Sequence, residues 1–116
     1  MIAFAGNELS EQEILDIRKS PDTQDWVSIS YDRKLSEDFI REFKDYVDWL
    51  YICWWQILSE DFIRQFENKL YWFAIMQRQK ISKKFILDYI DYIDFVGILI
   101  NENISQEVKD YCRMFV

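Results

Sequence analysis

Three aspartates close together are the residues of this sequence best suited to catalysis or metal binding. Asp88, Asp91 and Asp94 follow one another at a spacing of three, which brings them near one face of a helix. Carboxylate oxygens are preferred ligands of Mg²⁺, so a carboxylate-only metal site or catalyst is one hypothesis. A solvated acidic face explains the same spacing more simply. We therefore predict no metal site, no cofactor and no catalytic residue.

The composition also lacks the usual parts of an enzyme. The chain has no histidine, which is the most frequent general base and a common metal ligand. Its two glycines, Gly6 and Gly97, stand alone, so neither a phosphate-binding loop nor a nucleophile elbow can form. Cys53 and Cys112 form no CxxC pair and are predicted to be small hydrophobic residues in a reducing compartment. The sequence predicts a protein that is not an enzyme.

A repeat of 23 residues organises the chain. The string LSEDFIREFKDYVDW at residues 35–49 returns as LSEDFIRQFENKLYW at residues 58–72. Columns at this spacing define units that start near residues 35, 58, 81 and 104, and a fifth unit starts near residue 9, 26 residues before the next one. One column holds Trp26, Trp49, Trp72 and Phe95, and another holds Ile29, Ile52, Ile75 and Ile98. Such periods are typical of solenoids, in which neighbouring units bury a shared core.

Each of the first four units is predicted to contain two short helices, and the fifth contains only the first of them. A serine such as Ser36 can cap the first helix, whose apolar residues recur at i, i+4 and i+7 over about eleven residues, for example 60–70 and 83–93. The second begins at the tryptophan column, after Asp25, Asp48 or Asp94 in three units, and has room for about two turns. Its third position is small in three units, Ser28, Ala74 and Gly97, which predicts close approach to a neighbouring helix.

These patterns predict the fold class. We expect an all-α protein, a short α-solenoid of about nine helices arranged as stacked helix hairpins. Nothing in the composition suggests a second unit, so residues 1–116 are predicted to form a single helical-repeat domain.

A residue that departs from its column is informative, because equivalent residues share the same packing demands. Trp55 is the clearest departure, since its column otherwise holds types that tolerate solvent. Those residues are Asp32, Arg78 and Asn101. Trp54 and Tyr51 lie on the same predicted helix, and Trp and Tyr are enriched where truncation costs a complex roughly 2 kcal/mol or more. We therefore predict that these three residues bind a partner; burial in a wider middle of the stack is the alternative.

A second departure lies on the third copy of the first helix. Leu87 replaces an arginine and Ile90 replaces a charged residue of the earlier copies. With Asp88 and Asp91 beside them, they would form an apolar strip rimmed by acidic residues. Such a strip suits a basic partner or a homodimer, and burial by a curved superhelix is the alternative.

The charge balance restricts the class of partner. The chain carries 14 basic and 21 acidic residues, a net charge of −7, which disfavours direct binding to nucleic acid. No apolar run approaches the roughly 18 residues of a membrane span, and the first residues do not resemble a signal peptide. We therefore expect a cytoplasmic protein whose partner is a basic protein, with no nucleic-acid or membrane contact.

The unit L-S-E-D-F-I-R-x-F, followed by a tryptophan and an isoleucine, resembles short helical repeats of uncharacterised proteins from giant DNA viruses, phages and bacteria. Residues 35–43 and 58–66 fit this pattern best, whereas Lys83, Lys84, Gln106 and Glu107 depart from its acidic pair. The resemblance implies a helical-repeat architecture, a viral or mobile-element origin and an interaction scaffold, and it brings no catalytic residues.

The expected function is therefore a non-enzymatic protein-binding module. A small acidic protein of viral origin could inhibit a host defence or nucleic-acid-binding protein by covering its basic surface, acting in the host cytoplasm. This makes the chain an anti-CRISPR candidate. The alternative is a structural scaffold whose helical repeats associate with one another.

Overall fold

A computed structural model describes residues 6–115, and these residues form nine α-helices. In chain order they are α1 (Glu11–Lys19), α2 (Trp26–Asp32), α3 (Glu37–Glu42), α4 (Trp49–Trp55), α5 (Glu60–Gln65), α6 (Trp72–Arg78), α7 (Lys83–Asp88), α8 (Phe95–Ile100) and α9 (Gln106–Cys112). Short 3-10 turns cover Pro21–Thr23, Ile90–Tyr92 and Arg113–Phe115. The prediction of an all-α repeat fold is confirmed. None of the helices in residues 6–115 is long and apolar enough to cross a membrane.

The helices begin where the sequence places capping residues. We call α1, α3, α5, α7 and α9 the first-type helices, and α2, α4, α6 and α8 the second-type helices. A serine hydroxyl caps every first-type helix; these residues are Ser10, Ser36, Ser59, Ser82 and Ser105. Aspartates cap three second-type helices, namely Asp25, Asp48 and Asp94, whereas α6 follows Tyr71 without a side-chain cap. Local chemistry therefore sets the helix starts.

The first-type helices are shorter than predicted. The helices α3, α5 and α7 contain six residues each, rather than about eleven. After α3 the chain turns, and the Tyr46 N–H donates to the Phe43 carbonyl at 2.9 Å. The Lys44 carbonyl accepts from the indole Nε1–H of Trp49 at 2.9 Å instead of from a helical N–H. Continuing the helix would remove this contact, so the apolar spacing alone gave the wrong length.

Stacking of the units creates the core. The second-type helices lie side by side in the order α2, α4, α6, α8. Each tryptophan of the column packs against an aromatic ring of the next first-type helix or of the turn that follows it. The centroid distances are 5.2 Å for Trp26–Phe43, 5.2 Å for Trp49–Phe66 and 4.9 Å for Trp72–Tyr89. The result is a two-layered stack that measures 51 × 25 × 18 Å.

A ladder of buried amide side chains joins consecutive units. The Gln79 side chain is fully buried and donates to the carbonyls of Cys53, at 3.0 Å, and Gln56, at 2.6 Å. Its oxygen accepts from the Leu58 N–H at 3.0 Å. The two donated bonds cross to the preceding unit, whereas Leu58 begins the unit to which Gln79 itself belongs. Gln79 thus satisfies backbone groups at and just after the end of α4 that this helix leaves unpaired.

The same bonds recur along the stack. Gln56 donates to the carbonyls of Ser30 and Arg33 and accepts from the Leu35 N–H. At the first junction, the Arg33 guanidinium takes this position and donates to the carbonyls of Asn7 and Glu8. Arg33 also pairs with Glu13, and this contact lowers the pKa of the Glu13 carboxyl to about 2. The ladder fixes how each unit sits on the last.

Gly97 confirms the close helix approach that the small column predicted. A Cβ atom at this position would lie 3.2 Å from Met76 Cβ and 3.2 Å from Gln77 Cγ, both on α6. We expect Gly97→Val to lower the free energy of unfolding by about 1–3 kcal/mol, because its methyl groups overfill this contact. Chemical denaturation followed by circular dichroism measures the change.

Gly97→Ala is the matched control for that contact. Its smaller side chain needs a shift of only a few tenths of an ångström, and alanine favours a helix over glycine by about 1 kcal/mol. We expect it to be close to neutral. Equal stability of the valine and alanine variants would contradict a tight α6–α8 contact.

The cysteines are packed as small hydrophobic residues. Cys53 and Cys112 are both free and fully buried. Burial raises the pKa of the Cys53 thiol to about 12, so it is protonated and unreactive near neutral pH.

Candidate protein-binding surface

The helix α4 carries the three aromatic residues that the sequence singled out. Tyr51, Trp54 and Trp55 are all half-buried. The Trp55 ring meets the Tyr31 ring edge to face, with centroids 5.2 Å apart and an interplanar angle of 89°. Tyr51 meets the same ring at 5.7 Å. The structure thus places these residues in one cluster, which is partly packed and partly open to solvent.

Arg78, on the neighbouring α6, supports this cluster. Its guanidinium carbon lies 5.1 Å from the Trp54 ring centroid and 5.3 Å from that of Trp55. Its Nε–H donates to the Trp54 carbonyl at 3.1 Å. A cation over an aromatic face is attracted by the ring quadrupole. Arg78 therefore restrains both indole rings. A cation of a partner would have to displace Arg78 to bind the same ring faces.

Asn101 does not behave as the Trp55 column predicts. Asn101 was expected to be solvent-compatible, but it is fully buried. It donates to the carbonyls of Met76 and Gln79 and thereby continues the amide ladder. The helix α8 has six residues, whereas α6 has seven. Asn101 therefore makes the contacts that Gln56 and Gln79 make in earlier units, although it stands one residue earlier in the repeat. Asp32, in contrast, is exposed.

A larger apolar surface, which the sequence did not indicate, lies on the second-type helices. The residue after each column aromatic is apolar and exposed: Val27 by 50%, Leu50 by 36%, Phe73 by 48% and Val96 by 66%. One turn later on the same helices stand Tyr31, Trp54, Ile100 and the polar Gln77; Tyr31 and Ile100 are also exposed, whereas Trp54 and Gln77 are half-buried. We call these eight residues the outer stripe. It crosses all four second-type helices.

A shallow cavity lies where the outer stripe meets the aromatic cluster. Its volume is about 340 Å³. It is lined by Tyr31, Leu50, Tyr51, Trp54, Trp55 and Phe73. No lining residue is charged, so the cavity suits an apolar side chain rather than an ion.

The surface of the first-type helices is more polar than the outer stripe, because many of its charged side chains form ion pairs or hydrogen bonds with the neighbouring unit. Arg18 Nε binds a Glu42 carboxylate oxygen at 2.6 Å, and this contact lowers the pKa of Glu42. One unit further on, Arg41 donates to the Gln65 side chain at 2.9 Å. The next contact joins Arg64 to Asp88 at 2.8 Å. These contacts between first-type helices present paired polar groups to solvent, in contrast to the outer stripe.

The second predicted patch lies on the first-type layer. Leu87 and Ile90 are both exposed, so the superhelix does not bury them. Asp88 pairs with Lys84 and Arg64, and these contacts lower the pKa of its carboxyl, whereas Asp91 is exposed. No described bond, ring contact or cavity joins this patch to the aromatic cluster. Within residues 6–115, no group of three or more acidic or cysteine side chains could hold a metal ion.

Acidic residues occur at the ends of the helices that carry the outer stripe. Asp25, Asp48 and Asp94 stand two residues before Val27, Leu50 and Val96, and Asp32 ends α2. None of these four aspartates forms an ion pair with a lysine or arginine of the described chain. Asp25, Asp48 and Asp94 instead accept capping hydrogen bonds from backbone N–H groups.

No family model, curated protein or solved structure matches this chain.

Proposed function

We propose that the chain is a non-enzymatic protein-binding module whose contact surface is the outer stripe. The observation that carries this proposal is the exposure of apolar side chains on all four second-type helices. Large contiguous apolar patches on soluble proteins mark interaction sites, whereas scattered apolar residues need no explanation. The cluster of Tyr51, Trp54 and Trp55 lies beside the centre of the stripe, where buried aromatic anchors contribute most to binding.

The partner in this proposal is a protein with a basic surface. A net charge of −7, including aspartates that form no ion pair at the ends of the stripe helices, would speed its encounter and select against acidic proteins. Leu87 and Ile90, with Asp91, would provide a secondary contact on the other layer. In its narrowest form, the module is a viral or phage inhibitor that covers the basic surface of a host defence or nucleic-acid-binding protein.

Affinity capture with two matched variants tests the contact surface. Phe73→Asp places a charge in the stripe, and Leu15→Asp places one at an equally exposed apolar residue on α1, outside it. We expect the wild type and Leu15→Asp to retain the same specific protein from nuclease-treated lysate of the source cell. Phe73→Asp should lose it, because a buried unpaired charge is costly at an interface.

Circular dichroism first establishes that both variants are folded. If folded Phe73→Asp retained the partner as well as the wild type, the stripe would not be the contact surface. If Leu15→Asp also lost it, binding would depend on charge in general rather than on this face.

A self-associating scaffold is the second candidate, and the C-terminal end of the stack favours it. Met114 is 76% exposed, and Phe115 stacks on Phe95 with centroids 5.7 Å apart. An apolar end of this kind suits end-to-end association of repeat units. Light scattering over a range of concentrations distinguishes the two functions: a scaffold grows in mass with concentration and Met114→Glu reverses this, whereas a binding module remains a monomer.

A further inference from the structure

We infer that the outer stripe recognises an amphipathic, basic α-helix that lies along the stack and across the second-type helices. This inference rests on the proposed function and adds the kind of structural element that binds. Three properties of the stripe carry it: the spacing of its residues, its width and the charges beside it.

The spacing of the stripe matches the heptad of a helix. Five units share the 51 Å length of the stack, so each unit advances it by about 10 Å. Seven residues of an α-helix rise about 10.5 Å and return to nearly the same face. A helix with apolar residues seven apart would therefore meet one second-type helix after another in the same way. About 20 residues would cross from α2 to α8.

An extended strand does not fit this spacing. Three residues of a strand also rise about 10 Å, but side chains alternate between faces, so every second contact would point away from the stripe. A polyproline helix repeats every three residues, or about 9 Å, and does keep one face on the columns. A polyproline helix, however, presents a narrow contact face. The stripe is two columns wide, with Leu50 and Trp54 on α4 and Val96 and Ile100 on α8.

The apolar cavity and the charges define the two faces of the partner helix. The cavity lies against the Leu50, Trp54 and Phe73 side chains, and its volume of about 340 Å³ accepts a large aliphatic or aromatic residue. Asp25, Asp48 and Asp94 recur two residues before the first column of the stripe, at the N-termini of three of its helices. Lysines or arginines flanking the apolar face of the partner would reach these carboxylates.

Model peptides test this inference without knowledge of the natural partner. Three soluble peptides of about 20 residues are compared, each long enough to cross the stripe. Two share one leucine and lysine composition, in one case with a heptad pattern and in the other with strict alternation. The third is a lysine- and proline-rich peptide. Binding is followed by tryptophan fluorescence, and peptide helicity by circular dichroism.

The heptad peptide should bind at least about tenfold more tightly than either control peptide and gain helicity on binding. Phe73→Asp should weaken its binding about tenfold or more, while Leu15→Asp should leave it unchanged. Equal binding of the three peptides, or insensitivity to Phe73→Asp, would overturn the inference. Preference for the proline-rich peptide would overturn it in favour of a polyproline ligand.

The two proposals fail separately. If lysate capture depends on Phe73 but the heptad peptide has no advantage, the stripe remains the binding surface and the helical ligand is wrong. If neither capture nor peptide binding depends on Phe73, the proposed function itself is wrong.

Discussion

Gln79→Leu is expected to lower the free energy of unfolding by about 3–5 kcal/mol, although leucine has a similar volume and is apolar. The substitution removes three bonds and leaves the Leu58 N–H and the carbonyls of Cys53 and Gln56 without a partner. All of these residues are buried. Each buried unpaired polar group costs about 1–3 kcal/mol, and water has no access to replace the lost amide.

Urea denaturation, followed by tryptophan fluorescence and circular dichroism, measures this effect. Gln65→Leu is the control, because Gln65 is exposed and its one described bond is to Arg41; we expect a change within about 0.5 kcal/mol. A loss of less than about 1 kcal/mol in Gln79→Leu would mean that the amide ladder does not hold the units together.

Trp55→Ala should reduce affinity for the captured partner about 30-fold or more, which corresponds to about 2 kcal/mol. Trp55 is held by Tyr31 on one side and Arg78 on the other, so little conformational freedom is lost when a partner covers it. Rigid, half-buried aromatic side chains beside an apolar cavity are typical hot spots. Equilibrium titration of the purified partner measures the change.

Tyr46→Ala is the matched control for this prediction. Tyr46 is an exposed aromatic residue in the turn after α3. Its substitution by alanine removes a comparable ring contact, the one with Trp26 at a centroid distance of 5.5 Å. We expect its effect on affinity to be less than about threefold. Similar losses in both variants would indicate a general loss of stability rather than a contact made by Trp55.

The sequence predicts the repeat, the helix type and the helix starts well, because these depend on local chemistry. Ser36 and Asp48 cap helices through groups that lie three residues apart in the chain. The length of α3 was not predictable in the same way. It is limited by the hydrogen bond between the Trp49 indole and the Lys44 carbonyl, which depends on how the second helix folds back.

The surface was harder to predict, because periodicity does not show which face of a short helix its neighbours cover. Val27 and Phe73 each come directly after a tryptophan of the column. As apolar residues they look like core residues, yet they face solvent. Gln56 and Gln79 look like solvent-facing residues, yet they are buried and join the units. Both outcomes depend on contacts between residues more than 20 positions apart. The aromatic cluster could be predicted because Trp55 departs from the other residues of its column.

The five tryptophans provide the most direct measurement of the central claim, that the outer stripe and its aromatic cluster are the binding surface. Each indole N–H gives its own signal in an ¹⁵N-correlated NMR spectrum, and single Trp→Phe variants assign them. Trp26, Trp49 and Trp72 belong to the column between the layers, where the indoles of Trp26 and Trp49 donate to carbonyls at 2.8 and 2.9 Å. Trp54 and Trp55 belong to the proposed surface.

On titration with the captured partner, we predict that the Trp54 and Trp55 signals shift or broaden while the other three stay in place. Movement of the three column signals with Trp54 and Trp55 unchanged would contradict the account.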